Sequence, residues 1–517
     1  MISDAKRVAV VGAGISGLVS IKECVAAGFS VQCFEKSNTI GGQWAYNPDP
    51  DSGDVHSSIY QGCILNSCRD SSSFADFPMD PAVYPDYFGH KLHLRYLNEY
   101  ADHFKLKDHI QLRTEVLQCE PGPNGGWDLT IRKEGGKSEV QHFDALMAAT
   151  GILSKPRTPE FAGREAYMGE FLHSHFYRTP GRFEGKKVAI IGLGSSAVDI
   201  ACEVGPQAKE LHLITRRGGW VLPRYILGKP TEAWDDRATQ MWVPHKISQY
   251  IQTKLINLIH AQQPEELKCD HKLLEQNPTT RGDFIEKVNT GIVKLHRASI
   301  DTFTPSGLSL STGTEIDADV VICCTGYHMT DMPFLPRDAV VSREMPAPHI
   351  DLYKHFVSPW YDDLFIIGRV ENFGPLAPTA EAQARVAAAM LSGRLQKPGR
   401  EEMLASIRKT REESAKAFIK SDRHLQTVHS IQYIDDILGP LGAAPTMFKL
   451  LGRATSVGLI RALKVFAAVY FGVPSSGQWR LLGEGRSEKL AEAMVLRISA
   501  GKKELSKEER EALEGKF

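Results

Sequence analysis

The chain has 517 residues, of which 42% are hydrophobic and 24% are charged, and its formal net charge is −1. This length suits about three globular domains with a large core, and the balanced charge gives no basic surface for nucleic acid. The nine cysteines show neither zinc-ligand spacing nor the density of a secreted disulfide scaffold, so we expect no metal site and a reducing, cytoplasmic compartment.

The N-terminal stretch predicts a dinucleotide-binding unit. An apolar, β-branched run leads into Gly-x-Gly-x-x-Gly, formed by Gly12, Gly14 and Gly17, and a helical pattern continues to about Ala27. The first glycine permits the turn, the second lets a phosphate approach the backbone, and the third lets helix and strand pack closely. The next predicted strand ends in Glu35, 23 residues after the first glycine, where a carboxylate can accept hydrogen bonds from a ribose diol. This unit begins by residue 7, so we expect no signal peptide.

A second glycine turn, Gly41-Gly42-Gln43-Trp44, follows at once and is compatible with either a plain loop or a contact to a large planar ligand. Residues 47–90 have little periodicity, and a loop of that length is usually functional. Residues 91–105 predict an amphipathic helix that packs in the core. Two short strands are expected around 111–119 and 127–133.

One pattern occurs twice along the chain. In residues 144–151 and again in 319–326, an Asp precedes a buried strand that ends in Thr-Gly seven residues later. We interpret both as strand ends at which the chain crosses between domains.

Between these repeats lies a second glycine motif, with Gly192, Gly194 and a following helix. Counting 23 residues from its first glycine reaches Thr215, which Arg216 and Arg217 follow. A carboxylate at this place suits a bare ribose diol, whereas arginine favours a 2′-phosphate through charge-assisted hydrogen bonds. We therefore assign the first site to FAD and the second to NADPH.

The C-terminal half offers fewer signals. Residues 228–290 look irregular, residues 364–368 predict a buried strand, and Thr379 is expected to cap a helix that runs to about Leu391. The region from 395 onward is mostly helical in pattern. Within it, 454–471 has an apolar face suited to core packing or to a membrane surface. The charged tail from Lys502 is expected to be exposed, and no 18-residue uncharged apolar run predicts a membrane span.

A flavin site beside an NADPH site leaves three electron acceptors open: a disulfide, a soluble electron carrier or molecular oxygen. Cys63 and Cys68 have a Cys-x4-Cys spacing like that of the glutathione reductase group. The pair lies about twenty residues further from the Gly-Gly turn than in that group, however, and no His–Glu base motif follows. An NADPH oxidase or disulfide reductase is thus the weaker alternative.

The stretch from Tyr167 to Tyr177 resembles the fingerprint of the flavin-containing monooxygenases, class B enzymes that use FAD and NADPH. Gly169, His173 and Tyr177 match it, and Tyr167 replaces a leading Phe. Further matches cover nearly the whole chain: Glu35-Lys36-Ser37, Gly41 to Trp44, Asn66-Ser67, Gly192 to Ser196, Thr325-Gly326-Tyr327, Pro378 to Glu381, Tyr470-Phe471-Gly472 and Gln478 to Leu481. Animal members commonly end in a hydrophobic anchor, whereas this chain ends in charged residues.

The resemblance implies an α/β fold with two dinucleotide-binding, Rossmann-like domains, the NADPH domain being inserted in the FAD domain, and a helical C-terminal region. The expected boundaries are 1–165 and 326–440 for the FAD domain, 166–325 for the NADPH domain and 441–517 for the helical region. Oligomeric state stays open, a homo-oligomer included. We expect a cytoplasmic protein, with peripheral membrane contact through its C-terminal region as an open alternative.

The resemblance also implies an activity: NADPH reduces FAD, O2 adds to give a C4a-hydroperoxyflavin, and an amine nitrogen or sulfide sulfur of a small molecule is oxygenated. Baeyer–Villiger members usually carry Trp where Tyr177 stands, so Tyr177 favours heteroatom oxygenation, and Baeyer–Villiger chemistry is the alternative. Asn66 matches the catalytic asparagine beside flavin and NADP⁺, and His173 is expected to hold the linker rather than transfer protons. The expected cofactor-binding residues are Gly12, Ala13, Gly14, Ile15, Ser16, Gly17, Glu35, Gly42, Gln43, Trp44, Leu65, Asn66, Gly192, Gly194, Ser195, Ser196, Ala197, Arg216 and Arg217.

Overall fold

The computed structural model describes residues 5–52, 56–259, 263–329, 332–345, 349–419 and 426–498. Its strands are β1 (Arg7–Val11), β2 (Ser30–Phe34), β3 (Ile110–Gln111), β4 (Thr114–Pro121), β5 (Trp127–Lys133), β6 (Ser138–Phe143), β7 (Ala145–Ala148), β8 (Glu170–His173), β9 (Lys187–Ile191), β10 (Glu210–Thr215), β11 (Val221–Leu222), β12 (Tyr225–Ile226), β13 (Lys229–Pro230), β14 (Thr279–Thr280), β15 (Lys294–Arg297), β16 (Ile300–Thr304), β17 (Gly307–Leu310), β18 (Glu315–Asp317), β19 (Val320–Cys323), β20 (Leu364–Ile366), β21 (Glu371–Phe373) and β22 (Thr427–His429). Its helices are α1 (Ile15–Ala26), α2 (Arg69–Ser72), α3 (His90–His103), α4 (Ser195–Val204), α5 (Arg237–Trp242), α6 (His245–Ile259), α7 (Phe284–Asn289), α8 (Leu376–Leu391), α9 (Arg400–Ala417), α10 (Ser430–Leu438), α11 (Met447–Gly452), α12 (Ala454–Val457), α13 (Leu459–Phe471) and α14 (Glu488–Ile498). The charged tail from Lys502 lies outside the described residues.

The first sheet is parallel and has the strand order β20-β7-β1-β2-β3. Side chains alternate between its faces along β1. Val8 and Val10 pack in the core that contains α1, α3 and α8, while Ala9 and Val11 pack in a second core with the antiparallel β4–β6 sheet. Both faces are therefore covered, as a parallel sheet requires.

The second sheet repeats this design with the strand order β15-β10-β9-β19-β8. Val188 and Ile190 of β9 pack towards α4 and α7, whereas Ala189 and Ile191 pack towards the small β16–β18 sheet. Because the chain leaves the first sheet after β7 and returns with β20, the second sheet is inserted in the sequence of the first. The α/β class with two Rossmann-like sheets is thus confirmed, while the domain boundaries at 165, 325 and 440 stay predictions.

The repeated Asp residues tie each central strand to its neighbour. Asp144 accepts the N–H of Arg7 at 2.6 Å, and Asp319 accepts the N–H of Lys187 at 2.7 Å. Each carboxylate therefore satisfies the first backbone donor of the strand that precedes a glycine loop. This shared bond explains why the sequence pattern occurs twice, once in each sheet.

Some elements differ from the sequence prediction. Thr379 does not cap a helix: α8 begins three residues earlier, at Leu376, because Pro375 provides the extended residue before it, and Thr379 is fully buried within the helix. β6 and α6 were not predicted. The 15-residue α6 lies in the stretch expected to be irregular, because Ile247, Ile251 and other apolar side chains on this helix face outward rather than forming a core stripe.

The helical C-terminal region was predicted, and it packs through one face of α13. Ala462 and Val465 are fully buried on that face, whereas Leu459 and Ile460, at the start of the helix, are 62% and 73% exposed. Within the described ranges, no helix combines the length and the apolar composition needed to cross a bilayer.

Candidate active site

The first glycine loop joins β1 to α1, and its glycines lie where side chains would not fit. Gly12 has a φ of +98°, and a Cβ there would lie 2.8 Å from the carbonyl oxygen of Ala149. A Cβ at Gly17 would lie 1.8 Å from the carbonyl oxygen of Gly12, so α1 crosses the loop in direct backbone contact. The free N–H groups and positive dipole end at the start of α1 suit an anionic ligand. The other predicted residues of this loop and first turn are buried: Ala13, Ile15 and Ser16.

Glu35 lies directly after β2, beside this loop, and its carboxylate is buried. Its Oε2 accepts a hydrogen bond from the N–H of Ala13 at 2.8 Å, and its Oε1 accepts one from the N–H of Ser37 at 2.8 Å. These two bonds fix the orientation of the carboxylate. Because a carboxylate offers about four acceptor positions, it retains capacity for the two hydroxyls of a ribose.

The second glycine turn lies against the first loop. A Cβ on Gly42 would lie 3.0 Å from the Cα of Gly14, so bare backbone faces bare backbone. The turn is held from both sides, because the amide of Gln43 donates to Ser58 and the ring of Trp44 lies 4.4 Å from a histidine ring of α3. A cradle that side chains would fill, beside a carboxylate suited to a ribose, fits a dinucleotide such as FAD.

The loop between β9 and α4 has the same construction. Gly192 has a φ of +119°, and a Cβ there would lie 2.5 Å from the carbonyl oxygen of Cys324. Gly194 is extended and directly precedes the helix. The first turn of α4 contains Ser195, Ser196 and Ala197.

The residues after β10 differ in charge from Glu35. Thr215 is buried, whereas Arg216 and Arg217 are exposed. Within the described part of the chain, neither arginine forms an ion pair. Both guanidinium groups are therefore available to an anion, and a 2′-phosphate fits this place in a dinucleotide site.

A cavity of about 1530 Å³ extends from the second glycine loop to the segment that carries Asn66. Its wall combines residues from the second sheet, from the segment that ends at Pro375 just before α8, and from α9 and α10. Of the predicted site residues, it brings together Asn66, Gly192, Gly194, Ser195, Arg216 and Arg217. The predicted site residues that do not line this cavity are Gly12 to Gly17 of the first glycine loop, Gly42 to Trp44 of the second glycine turn, Glu35, Leu65, Ser196 and Ala197.

Asn66 lines this cavity, and the residue before it, Leu65, anchors the loop. Leu65 is buried, and its N–H donates to the carbonyl oxygen of Phe88 at 3.0 Å. The Asn66 side chain is exposed, and its Oδ1 accepts a long hydrogen bond of 3.4 Å from Arg224. The amide N–H2 group carries two further donors. A bound cofactor can therefore meet a neutral donor at this point.

The linker that precedes β9 is held by buried polar contacts. His173 accepts the N–H of His175 at 3.1 Å through Nδ1, and burial lowers its pKa. Tyr177 donates to Glu203 at 2.7 Å, and burial raises the pKa of that carboxyl to about 7. Arg178, which the sequence analysis missed, donates to backbone carbonyls on both the linker and the 47–57 segment. These contacts hold the connection between the two sheets in one conformation.

The two cysteines of the disulfide hypothesis are poorly suited to redox exchange. Burial raises the pKa of Cys63 to about 12, and burial also raises the pKa of Cys68 well above its usual value. Since the thiolate is the reactive species in disulfide exchange, both thiols are held in the inert form. The structure thus gives no support to a disulfide reductase.

The sequence analysis also missed two carboxylates close to the Asn66 loop. Asp199 lies in α4 and accepts a hydrogen bond from Tyr60, and Glu232 accepts the N–H of Cys68 at 2.6 Å. Neither contact has a sequence signal, because the partners are 139 and 164 residues apart along the chain.

Comparison with protein families places this geometry among known proteins. A family model described as flavin-binding monooxygenase-like matches residues 5–514. Flavin-containing monooxygenase 5 from Cavia porcellus is 33% identical over 98% of this chain and 94% of the relative. Dimethylaniline monooxygenase [N-oxide-forming] 2 from Rattus norvegicus is 31% identical over 95% of this chain and 91% of the relative.

Among solved structures, S-allyl-L-cysteine S-oxygenase from Allium sativum is similar with a TM-score of 0.64 and 26% identity. The similarity covers 84% of this chain and 88% of that protein.

Proposed function

Since the chain belongs to the flavin-binding monooxygenase-like family, we propose that it uses NADPH, FAD and O2 to oxygenate a soft nucleophile of a small molecule, an amine nitrogen or a sulfide sulfur. The observation that supports this proposal is the pairing of two glycine-loop sites with opposite charges after their second strands. Glu35 follows the first site, and Arg216 and Arg217 follow the second. Two of the proteins compared above are named for such reactions, one for forming the N-oxide of dimethylaniline and one for S-oxygenation of S-allyl-L-cysteine, which favours heteroatom oxygenation.

FAD fits the first site. The backbone of Gly12 to Gly17 would hold the pyrophosphate at the start of α1, Glu35 would accept the ribose hydroxyls, and Gly42 to Trp44 would cover the group from the other side. Bound FAD supplies the oxygen-activating chemistry. The protein would orient the bound FAD. Because Gly14 and Gly42 have no side chains, the backbone of both turns can lie directly against the cofactor.

NADPH fits the second site. The start of α4 would hold its pyrophosphate, and Arg216 and Arg217 would bind the 2′-phosphate through charge-assisted hydrogen bonds. The 1530 Å³ cavity runs from these residues to Asn66. The nicotinamide end can therefore extend along the cavity towards the asparagine.

Asn66 is the residue to which we assign the catalytic role. Its amide donates and accepts hydrogen bonds without carrying charge, so it can hold the flavin–nicotinamide region without offering a proton to the oxidant. This role would require the bound cofactors to close the cavity around Asn66 to water, since water in the site favours loss of hydrogen peroxide over product.

Isotope labelling tests the proposed reaction directly. The purified holoenzyme is given NADPH, ¹⁸O2 and, in turn, a tertiary amine, a thioether and a cyclic ketone, and the products are identified by mass spectrometry. We expect one ¹⁸O atom in an N-oxide or S-oxide for each NADPH consumed. A lactone from the ketone with no heteroatom product would show a Baeyer–Villiger enzyme. Hydrogen peroxide equal to NADPH with every substrate would show an oxidase.

We also propose that this protein contacts a membrane surface through its C-terminal region. Phe448, Leu459 and Ile460 are 80%, 62% and 73% exposed. Near the other end of α13, Trp242 at the end of α5 stacks on Tyr470 and is itself 49% exposed. An apolar patch next to an exposed lysine, Lys464, suits the interface of an anionic bilayer.

Sedimentation with vesicles tests this contact. We expect the protein to sediment with vesicles that contain phosphatidylserine, and the Leu459→Ser/Ile460→Ser double variant to stay in the supernatant. If the wild-type protein does not bind vesicles and is dimeric, and the double variant is monomeric, the patch is a homo-oligomer interface instead.

A further inference from the structure

The segment Tyr60–Cys68, which carries Asn66, is held near both ends by carboxylates that come from the inserted part of the chain. The phenolic O–H of Tyr60, six residues before Asn66, donates to Oδ2 of Asp199. Both residues are buried, at 6% and 3% exposure. Asp199 lies one turn after the start of α4, the helix whose N-terminus faces the second nucleotide site.

The second anchor lies two residues after Asn66. The N–H of Cys68 donates to Oε1 of Glu232 at 2.6 Å, and the O–H of Tyr87 donates to Oε2 of the same carboxylate at 2.7 Å. Glu232 lies in the short helical turn Thr231–Trp234, which lines the same cavity as Asn66. Hydrogen bonds to a carboxylate are shorter and stronger than neutral ones, so both ends of the segment are firmly tied.

The first anchor is itself fixed to the second glycine loop. Arg281 lies 3.1 Å from Asp199 and directly follows β14. Thr279 of that strand donates to the carbonyl oxygen of Leu193, which lies between Gly192 and Gly194, at 3.2 Å. A continuous set of polar contacts therefore connects the loop that would hold the NADPH pyrophosphate to the segment that carries Asn66.

We propose that Asp199 and Glu232 are positioning residues for the oxygenation reaction, which set the place of Asn66 relative to the bound nicotinamide nucleotide. This inference rests on the catalytic role proposed for Asn66. The glycine loop for FAD and the loop for NADPH belong to different sheets, and Asn66 must meet groups from both. Anchors on either side of Asn66 fix the position of its amide relative to the second sheet. This position matters because displacing a catalytic group by about 1 Å can lower the rate about 100-fold.

The test compares coupling, measured as product formed per NADPH oxidised, in full-length FAD-loaded variants. Tyr60→Phe removes the first anchor with little change in volume, and Glu232→Ala removes the second. For each, we expect unchanged FAD content and about a tenfold higher ratio of hydrogen peroxide to product, within the range that displacement of a catalytic group produces. Glu232→Gln keeps an acceptor for the N–H of Cys68, so it should retain most of the coupling.

Tyr84→Phe is the matched control. It removes a bond of similar length, in which the buried Tyr84 donates to the partly exposed Glu99 at 2.6 Å. Among the described hydrogen bonds, neither side chain of this pair is joined to the Tyr60–Cys68 segment. We expect this variant to remain coupled. If Tyr84→Phe loses coupling as much as Tyr60→Phe does, general loss of packing explains the effect and the inference is wrong.

Asn66→Ala in the same assay tests the catalytic role of Asn66 separately from the positioning role of Asp199 and Glu232. If Asn66→Ala uncouples while Tyr60→Phe and Glu232→Ala behave as wild type, the anchoring inference fails and the role of Asn66 stands. If Asn66→Ala stays coupled, the proposed role fails and the inference with it. We expect Tyr60→Phe to cause no further uncoupling in the Asn66→Ala background, since both changes act through one side chain.

Discussion

At the residue scale, the candidate site depends on the contrast between charged and neutral side chains. Glu35 is held by two backbone N–H groups, Arg216 and Arg217 form no ion pair within the described residues, and Asn66 brings a neutral amide into the cavity. Each residue type suits a different part of the two cofactors: a ribose diol, a 2′-phosphate, and the place where oxygen is activated.

Replacing the amide should separate cofactor binding from oxygen transfer. We expect Asn66→Ala to keep its FAD, because the hydrogen bond of the Asn66 side chain within the described residues is to Arg224 and not to the first glycine loop. We expect it to oxidise NADPH with most of the electrons lost to hydrogen peroxide. The measurement is simultaneous assay of NADPH, hydrogen peroxide and product. Unchanged product per NADPH in this variant would exclude the catalytic role.

The two arginines should decide which nicotinamide nucleotide is used. Hydrogen bonds to a charged group contribute about 1.5–3 kcal/mol each, so Arg216→Ala and Arg217→Ala should each raise the KM for NADPH about 10- to 100-fold. The KM for NADH should change little, because NADH has no 2′-phosphate. Arg132→Ala, on the exposed side of β5, serves as the control. Equal effects on both nucleotides would contradict the assignment.

Glu203 should make stability depend on pH. Burial is the main cause that raises its pKa from 4.5 to about 7, with the nearby Asp199 adding to the rise and the Tyr177 hydrogen bond opposing it. The folded protein therefore binds more protons than the unfolded chain between these values, and stability falls as the pH rises from about 4.5 to about 7. We expect the Tm of wild type to fall relative to Glu203→Gln across this window and to level off above it. A constant difference would show that Glu203 keeps its ordinary pKa.

At the element scale, the strand–loop–helix units are built on backbone contact. In both sheets the first glycine has a positive φ and lies against a carbonyl oxygen at the end of the neighbouring strand, Ala149 in one case and Cys324 in the other. The sequence motif predicts the local crossing of Gly17 over Gly12, because both residues belong to the motif. The contacts to Ala149 and Cys324 come from strands far along the chain and are set by the pairing of each sheet. The motif does not predict α6, whose apolar side chains face outward.

The close approach of Gly17 to the Gly12 carbonyl oxygen predicts the effect of a single added methyl group. Gly17→Ala places a methyl group 1.8 Å from the Gly12 carbonyl oxygen, so α1 must move away from the loop that would hold FAD. We expect a protein that purifies without bound flavin, as judged by its absorbance near ~450 nm, a property of the flavin itself. Gly181→Ala is the control, because a Cβ there meets open space. Normal flavin content in Gly17→Ala would contradict the close crossing.

At the scale of the whole molecule, the C-terminal region is joined to the first sheet by a buried ionic cluster. Arg480 donates to Glu23 of α1 and to Glu381 of α8, both at 2.6 Å, and lies 3.4 Å from Asp76. Its side chain is 5% exposed. Arg480 does not line the cavity, and its ion pairs fix α1 and α8 together.

Removing that guanidinium leaves three buried carboxylates with too few partners. We expect Arg480→Ala to lower the free energy of unfolding by about 3–5 kcal/mol, the range for breaking a buried ion pair. Urea unfolding of the FAD-loaded enzyme gives this value, and Arg408→Ala, whose ion pair with Glu344 is exposed, should leave it nearly unchanged. Similar values for the two variants would show that the cluster contributes no more than a surface pair.

The two nucleotide units, their order and their likeness to a monooxygenase family could be predicted from the amino-acid sequence. Each unit forms within about 30 consecutive residues, and the spacing from the first glycine to Glu35 or to Arg216 predicts the cofactor preference. The residues that surround Asn66 are known from the folded structure alone. Asp199 and Glu232 look like ordinary solvent-facing acids in the sequence, because an acid's partner across 139 or 164 residues leaves no periodic pattern. Packing of the two sheets brings them to the Tyr60–Cys68 segment and gives the cavity its walls.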